Sequence, residues 1–155
     1  MPKRVSRRGR VTGIGGVFFK SRNPERLLRW YETHLDLERA DFPGVVFPWI
    51  ETGRARNQAM TVWAIFPHRT RYFSPSRSRF MINYRVDDLD ALLRKLRRQR
   101  VWVDPHRDQS KFGRFAWVRD SDGNRVELWE PPSPRRLRPV RSRHRTPTAA
   151  RRSPS

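Results

Sequence analysis

One carboxylate stands in the middle of an apolar strand near the end of the sequence, in the stretch RDSDGNRVELWEPP. Asp122 and Gly123 predict a hairpin turn there, because glycine takes positive φ at no steric cost. In the strand that follows, Val126 and Leu128 alternate with Glu127, which is the pattern of a half-buried strand. An ionised carboxylate is costly to bury without a cation, a metal or hydrogen-bond donors, so the partners of Glu127 decide its chemistry.

Two segments of the chain repeat one pattern of strand, polar cap and amphipathic helix. GVFFKSRNPERLLRWYETHL (16–35) and MINYRVDDLDALLRKLRRQR (81–100) show it when Gly16 is aligned with Met81, which indicates an internal duplication. Asn23 is placed to cap the first helix, and Asp87 or Asp88 the second. The apolar helix faces are predicted to comprise Leu27, Leu28, Tyr31 and Leu35 in the first copy and Leu89, Leu92, Leu93 and Leu96 in the second.

Further strands follow each predicted helix and complete two modules. GVVFPWIE and AMTVWAIFP follow the first helix, and KFGRFAWVRD and NRVELWEPP follow the second. TVWAIFP aligns with RVELWEP, Thr61 against Arg125, at nearly the same spacing. The sequence therefore predicts an α+β domain of two βαβββ modules. Module one is expected at 12–66, a linker with proline and serine at 67–79, and module two at 80–132.

Alternation along these strands predicts which side chains share a face of the sheet. The face beneath the helices is predicted to hold Val17, Phe19, Val62, Ala64, Ile82, Tyr84, Val126 and Leu128. The opposite face is predicted to hold Gly16, Phe18, Thr61, Trp63, Met81, Asn83, Glu127 and Trp129. If the sheet curves, this second set lines one shared cleft, and Glu127 points into it.

These segments resemble the vicinal oxygen chelate superfamily, which contains glyoxalases, extradiol dioxygenases and bleomycin-resistance proteins. DSDGNRVELWEP resembles the closing hairpin of that family, which ends in a glutamate metal ligand, and FMINYRVDDLDALLRKL and GVFFKSRNPERLLRWYETHLDL resemble its two strand–helix units. The resemblance covers residues 12–132. It implies two βαβββ modules that form a curved mixed sheet around a cleft, and we expect a homodimer that binds a small molecule.

In the metal-dependent members of that superfamily, the ligands come from the first and last strands of each module. Carried over to this sequence, those positions are Gly16 (or Gly15), Trp63, Met81 and Glu127. Three of the four cannot ligate a hard or borderline divalent ion, whereas a catalytic metal usually has about three protein ligands. We therefore expect no cofactor. A zinc, nickel, iron or manganese ion belongs to the alternative function, a metal-dependent lyase or dioxygenase.

The four histidines are not expected to complete such a site. His34 is predicted late in the first helix, His68 and His106 in loops bordered by proline, and His144 in the C-terminal tail. None is predicted on a strand that faces the cleft, so a structural or solvated role is favoured for each.

Without a metal, two interpretations of Glu127 remain open. In the first, Glu127 is a structural carboxylate that is hydrogen-bonded by Asn83 or paired with Arg85 or Arg125. In the second, it is the polar anchor of an aromatic-walled pocket for a planar or cationic molecule. If the protein is a catalyst, Glu127 is the expected general base. The candidate ligand-binding residues are Phe18, Trp63, Met81, Asn83, Trp117, Glu127 and Trp129.

The formal charge of +20 is concentrated at the ends of the chain. Residues 1–11 contain five basic residues and residues 133–155 contain eight arginines, with no acid in either segment, and this composition predicts disordered tails. Such tails bind nucleic acid non-specifically, which is the second alternative function. Arginine replaces lysine almost throughout the chain, so a general bias in composition is the favoured explanation.

The composition also bears on location. The absence of cysteine excludes disulfides and thiolate metal sites. No apolar run approaches the ~20 residues of a membrane span, and no small-residue cleavage site follows the short apolar segment VTGIGGVFFK. We therefore expect a cytoplasmic protein without membrane contact.

Overall fold

The computed structural model describes residues 8–50 and 58–132, and these form one open, mixed seven-stranded sheet with two helices. The predicted α+β class is confirmed. The elements are β1 (Val11–Ser21), α1 (Pro24–Leu35), β2 (Gly44–Ile50), β3 (Gln58–Pro67), β4 (Phe80–Val86), α2 (Leu89–Arg98), β5 (Val103–Ser110), β6 (Gly113–Arg119) and β7 (Arg125–Glu130). Residues 1–7 and 133–155, which make up most of the predicted tails, lie outside the described residues. Neither helix is long and apolar enough to cross a membrane.

The two modules meet at the centre of the sheet, where β1 pairs with β4 in antiparallel fashion. Gly16 lies opposite Asn83 and Phe18 lies opposite Met81. Because the repeat aligns Gly16 with Met81 and Phe18 with Asn83, these two pairs are equivalent contacts of the two modules. β1 is parallel to β3 and β4 is parallel to β7, in the sheet order β2-β3-β1-β4-β7-β6-β5. The predicted duplication is therefore visible in the pairing of the four central strands, β3, β1, β4 and β7, the last of which carries Glu127.

Over the residues that the structure describes, the two modules differ in their number of strands. The second has the predicted βαβββ order, whereas the described part of the first is βαββ, because residues 36–43 form no strand. Arg39 in this segment donates hydrogen bonds to Glu32 and Glu25 of α1 at 2.7 to 3.1 Å, so the segment is held against the helix. The prediction of a βαβββ order for module one was wrong over the described residues.

Each helix begins at a side-chain cap. The Asn23 side chain accepts the backbone N–H of Arg26 at 3.0 Å, and Asp88 accepts that of Ala91 at 2.9 Å, so Asp88 is the cap of α2. These bonds satisfy donors that the first turn of a helix leaves open. Leu35 was predicted on the apolar face of α1, but it is 56% exposed at the last helical position.

Both helices pack on one face of the sheet, called here the helix face. Two buried clusters lie there: Leu28, Val45 and Ile65 under α1, and Val86, Leu89, Leu92, Leu93, Ala116, Val118 and Leu128 under α2. Phe19, Tyr84 and Val126 pack against them as predicted. A fully buried leucine contributes about 1.5–3 kcal/mol, so these clusters hold the helices to the sheet.

The face prediction was wrong for β3. Val62 and Ala64 were expected under the helices, but Ala64 belongs to a cluster on the opposite face and Val62 packs against it. Trp63 was expected in the cleft, but it lies on the helix face, where its ring contacts Tyr31 of α1 at a centroid distance of 4.7 Å. Thr61 lies on the same side as Trp63, because alternate residues of a strand share a face.

A slip of one residue in the alignment of the modules explains this error. Phe18 pairs with Ala64 in module one, and Asn83 pairs with Glu127 in module two. Phe18 and Asn83 correspond in the repeat, so Ala64 is the structural counterpart of Glu127. The alignment of TVWAIFP with RVELWEP instead sets Trp63 against Glu127. A shift of one residue turns every side chain of a strand to the other face.

Candidate functional site

The face of the sheet opposite the helices, called here the cleft face, carries a buried aromatic cluster. Phe18, Ala64, Met81 and Trp117 meet there, so the predicted placement of Phe18 and Met81 is confirmed. Phe73 lies among them and is fully buried. Because Phe73 belongs to the segment predicted as a linker, the chain itself fills the centre of the predicted cleft.

Tyr72 lies beside Phe73, and the two are called here the linker plug. The Tyr72 ring stacks on Phe66 at a centroid distance of 5.3 Å and an interplanar angle of 12°. It meets Trp117 edge-on at 6.0 Å, and its hydroxyl donates a hydrogen bond to Glu127. Both geometries are ones that aromatic pairs prefer. Tyr72 is therefore held by aromatic contacts of its ring and by a hydrogen bond from its hydroxyl.

Sequence reasoning missed the linker plug. Two prolines, three serines and several arginines at 67–79 are typical of an exposed loop, and this composition masked two adjacent aromatic residues. The signal was present, because large aromatic side chains are uncommon in a solvated linker and usually find a buried surface.

Glu127 is 2% exposed and accepts three hydrogen bonds. Asn83 Nδ2 donates to Oε1 at 2.6 Å, Trp117 Nε1 donates to Oε2 at 2.8 Å, and the Tyr72 hydroxyl also donates to Oε2. The predicted partnership with Asn83 is confirmed. The carboxylate is therefore held by one side chain from each of β4, β6 and the linker plug.

Arg125, a predicted partner of Glu127, pairs with other groups. Its Nη1 donates to Asp104 and to the backbone carbonyl of Ser74, both at 2.8 Å, and its guanidinium lies 5.0 Å from the Trp117 ring centroid. The bond to Ser74 fastens the linker next to the plug. Within the described chain, Arg125 Nε and Asn83 Oδ1 are buried without a hydrogen-bond partner.

Burial controls the protonation of this cluster. It raises the pKa of Glu127 above its ordinary value, although hydrogen bonds from Tyr72, Asn83 and Trp117 and the charge of Arg125 lower it. The pKa of Tyr72 is raised first by burial and then by the negative charge of Glu127. Tyr72 therefore keeps its proton and is the donor in its bond to Glu127.

Trp129 and His106 each stack on a neighbouring aromatic ring. Trp129 shares the face of Glu127, stacks on Phe115 at 6.4 Å and donates to the carbonyl of Phe112 at 2.7 Å. His106 was predicted in a loop away from the cleft, but it lies in β5 and stacks on Trp117 at 5.6 Å. That prediction was wrong because β5 is an edge strand, where the neighbouring proline is tolerated.

A sequence comparison identifies the family of this chain. A sequence model of the Glyoxalase/Bleomycin resistance protein/Dioxygenase superfamily matches residues 14–128. The chain belongs to this superfamily. A search of curated protein sequences gives no match.

Solved structures place this superfamily member beside two epimerases in fold. Methylmalonyl-CoA epimerase from Mycobacterium tuberculosis has 22% identity and a TM-score of 0.53, over 79% of this chain and 90% of its own. A Streptomyces coelicolor methylmalonyl-CoA epimerase in complex with 2-nitronate-propionyl-CoA has 14% identity and a TM-score of 0.58, over 80% of this chain and 100% of its own. At these identities the similarity concerns the fold alone.

The residues of this superfamily member do not fit a metal ion at the positions that the resemblance implies. With the β3 register corrected, those positions are Gly16, Ala64, Met81 and Glu127. Glycine and alanine offer no ligand atom, a thioether is a poor ligand for a hard cation, and the Glu127 oxygens already accept three hydrogen bonds. The described ranges hold no group of three or more His, Asp or Glu side chains that could bind a metal ion.

Gly15 gives a direct test of how tightly this site is packed. A Cβ atom at Gly15 would lie 2.3 Å from Asn83 Oδ1 and 2.8 Å from a Trp129 ring carbon. Because a methyl group there displaces Asn83 from Glu127, Gly15→Ala is expected to lower the free energy of unfolding by about 1–3 kcal/mol in urea denaturation. Gly13→Ala is the matched control, since its nearest neighbours are Trp49 ring atoms at 3.4 Å. Equal effects of the two substitutions would contradict the prediction.

Proposed function

We propose that the protein binds a small aromatic molecule that carries a hydrogen-bond donor, at the cleft face and without a metal ion. Glu127 is the polar anchor, and Phe66, Phe73 and Trp117, which contact the Tyr72 ring, are walls of the site. The observation that carries this proposal is the bond between the Tyr72 hydroxyl and the buried Glu127 carboxylate. Tyr72 occupies the position that the ring of a ligand would take.

The contacts of Tyr72 define the chemistry of the ligand. A ring there stacks on Phe66 and meets the edge of Trp117, and its donor reaches a carboxylate whose other oxygen is bound by Asn83. A largely apolar hollow with a few convergent polar groups is typical of small-molecule sites. A phenol, an aniline or an indole has the required ring and donor.

The charges of the site favour a neutral ligand over a cation. Arg125 lies close enough to Glu127 to lower the pKa of that carboxyl, so a cationic ligand at Glu127 would meet a like charge. Burial disfavours the ionised form of Glu127, which further weakens attraction for a cation. We therefore exclude cations from the proposed ligand class, although aromatic walls alone would suit them.

Two unmet polar atoms beside Glu127 support a ligand rather than a purely structural role. Asn83 Oδ1 is a buried acceptor and Arg125 Nε is a buried donor, and both lack a partner in the described chain. Buried polar groups are normally satisfied, so a carboxylate site that served stability alone would be expected to leave neither open. Tyr72 is 38% exposed, which gives an entering molecule access to the plug.

The proposal is tested by replacing the internal ring with an external one. In the full-length protein, Tyr72→Ala opens the position of the phenol while Phe73 keeps the core filled. Addition of 4-methylphenol is expected to raise the melting temperature of this variant by roughly 3–6 °C at ten times the dissociation constant. Toluene, which has the same ring without the donor, is expected to have a much smaller effect.

Two controls separate binding at Glu127 from general solvent effects. Tyr72→Ala combined with Glu127→Leu is expected to lose the preference for 4-methylphenol over toluene, because the acceptor for the phenol hydroxyl is gone. Phe112→Ala removes a ring that is 63% exposed and should give no response to either compound. Equal stabilisation by toluene and 4-methylphenol, or an unchanged response in the double variant, would refute the proposed site.

A further inference from the structure

A cavity of about 490 Å³ runs along α1 and is called here the α1 groove. Its lining includes the last residue of β1, the cap of α1 and side chains of the helix itself: Ser21, Asn23, Arg26, Leu27, Arg29 and Trp30. None of these residues is among those that hold Glu127 on the cleft face. The volume falls within the range of roughly 300–1,000 Å³ that small-molecule sites occupy.

Leu27 and Trp30 form the apolar part of the α1 groove. Leu27 packs against the buried cluster under α1, so this part of the groove is anchored in the core. The Trp30 ring stacks on His34 at a centroid distance of 4.7 Å and meets Tyr31 edge-on at 5.2 Å. The indole is therefore held in one orientation although it is 48% exposed. A planar ring can pack against such a side chain without first ordering it.

The α1 groove also carries positive charge that the described chain does not neutralise. Arg26 and Arg29 are three residues apart, so they lie on one side of the helix, and no acid is among the residues that line the groove. Arg26 forms no ion pair within the described residues. Arg29 approaches Glu25 at 3.6 Å, but the two side chains are 71% and 50% exposed, and such a pair contributes little.

Glu25 is bound more closely by another arginine. Arg39 donates to both of its carboxylate oxygens, at 3.0 and 3.1 Å, and this bond holds the pKa of Glu25 below its ordinary value. The negative charge near the start of α1 is therefore already paired with Arg39. The guanidinium groups of Arg26 and Arg29 remain available to an anion in the groove.

The polar side chains at the start of the groove present donors. Asn23 Oδ1 accepts the backbone N–H of Arg26 at 3.0 Å, and Ser21 Oγ accepts the backbone N–H of Asn23 at 3.1 Å. Each side chain still has a donor, the Asn23 amide and the Ser21 hydroxyl hydrogen. Because their acceptor oxygens are engaged in the cap, these residues favour an anion over a cation, as the two arginines do.

We infer that the α1 groove binds a small planar molecule that carries an anionic group, either an aromatic carboxylate or an aryl phosphate. The ring packs against Trp30 beside Leu27, and the anionic group is bound by Arg26 and Arg29. A guanidinium presents paired donors that match carboxylate and phosphate oxygens alike, so the two ligands share the chemistry that the groove recognises.

The α1 groove and the Glu127 site take different ligands. The Glu127 site requires a donor on the ligand, and its carboxylate repels an anion. The α1 groove offers cations and donors, so a ligand without a donor can bind there. The inference therefore does not rest on the function proposed for Glu127, and an ionised aromatic acid tests the α1 groove alone.

The inference is tested by titrating the full-length protein with benzoate, phenyl phosphate and methyl benzoate, which share one ring. Binding is followed by NMR of the indole N–H signals of nitrogen-labelled tryptophan, and the Trp30 signal is assigned by its absence from Trp30→Phe. Benzoate or phenyl phosphate is expected to shift the Trp30 signal and to bind at least about fivefold more tightly than the neutral ester. Equal affinity for methyl benzoate, or an unshifted Trp30 signal with both anions, would overturn the inference.

A pair of charge variants separates the groove from net charge. Arg26→Gln combined with Arg29→Gln is expected to weaken binding of the preferred anion about tenfold. Arg94→Gln combined with Arg98→Gln removes the same charge from exposed positions of α2, outside the groove, and should change affinity by no more than about twofold. All four residues are exposed, and unchanged indole signals of the free variants check that folding is intact. Equal weakening by the two double variants would contradict a site on α1.

Discussion

Replacement of Phe73 by alanine is expected to lower the free energy of unfolding by about 3–5 kcal/mol. The Phe73 ring is fully buried and packs with Phe18, Ala64, Met81 and Trp117, so the substitution removes a large apolar group and leaves a cavity that the sheet cannot close. Urea denaturation followed by tryptophan fluorescence measures the loss, since Trp117 lies in the same cluster.

Phe112→Ala is the control for loss of a phenylalanine ring. Phe112 is 63% exposed, and its contact with Trp129 uses the backbone carbonyl, so the unfolding free energy should change by no more than about 0.5 kcal/mol. A loss below about 1 kcal/mol for Phe73→Ala would mean that the linker plug is not part of the core.

Glu127→Ala is expected to lower the free energy of unfolding by about 2–5 kcal/mol, since it leaves Asn83, Trp117 and Tyr72 without their acceptor. The Asn83 and Trp117 donors are buried and cannot turn to water. Denaturation in urea at neutral pH measures the change. Glu38→Ala, at an exposed glutamate, should be nearly neutral.

The pH dependence of stability distinguishes the two protonation states of Glu127. Because burial raises the folded pKa of this carboxyl, its contribution is full below the unfolded pKa of about 4.3 and is lost as pH rises through the folded pKa. The unfolding free energy of the parent minus that of Glu127→Gln should therefore fall between acidic and neutral pH and then level off. A difference that rises with pH would mean that the folded pKa is lowered.

The sequence predicts which residues of β7 lie on each face of the sheet, but it leaves the two faces of β3 ambiguous. In β7, polar and apolar residues alternate around Glu127, so the alternation assigns the two faces of this strand. In β3, the run VWAIF is apolar at every position, because α1 covers one face and the linker plug covers the other. With both faces buried, alternation carries no information, and the register of the repeat was lost by one residue.

The site was predictable only where its residues come from regular strands. Glu127 and Asn83 were placed together because the pattern of the repeat puts them on neighbouring strands. Tyr72 and His106 were not, since one comes from an irregular segment and the other from a strand that contains proline. Their positions depend on tertiary contacts with Trp117, which no local rule specifies.

The position of Phe73 also makes the packing of each module depend on the other. Its ring rests on Phe18 and Ala64 of the first half and on Met81 and Trp117 of the second, so neither half possesses a complete interior. Separation of the halves would expose this ring along with both surfaces that it joins. We therefore expect the domain to unfold as one cooperative unit, although the pattern of its strands and helices is repeated.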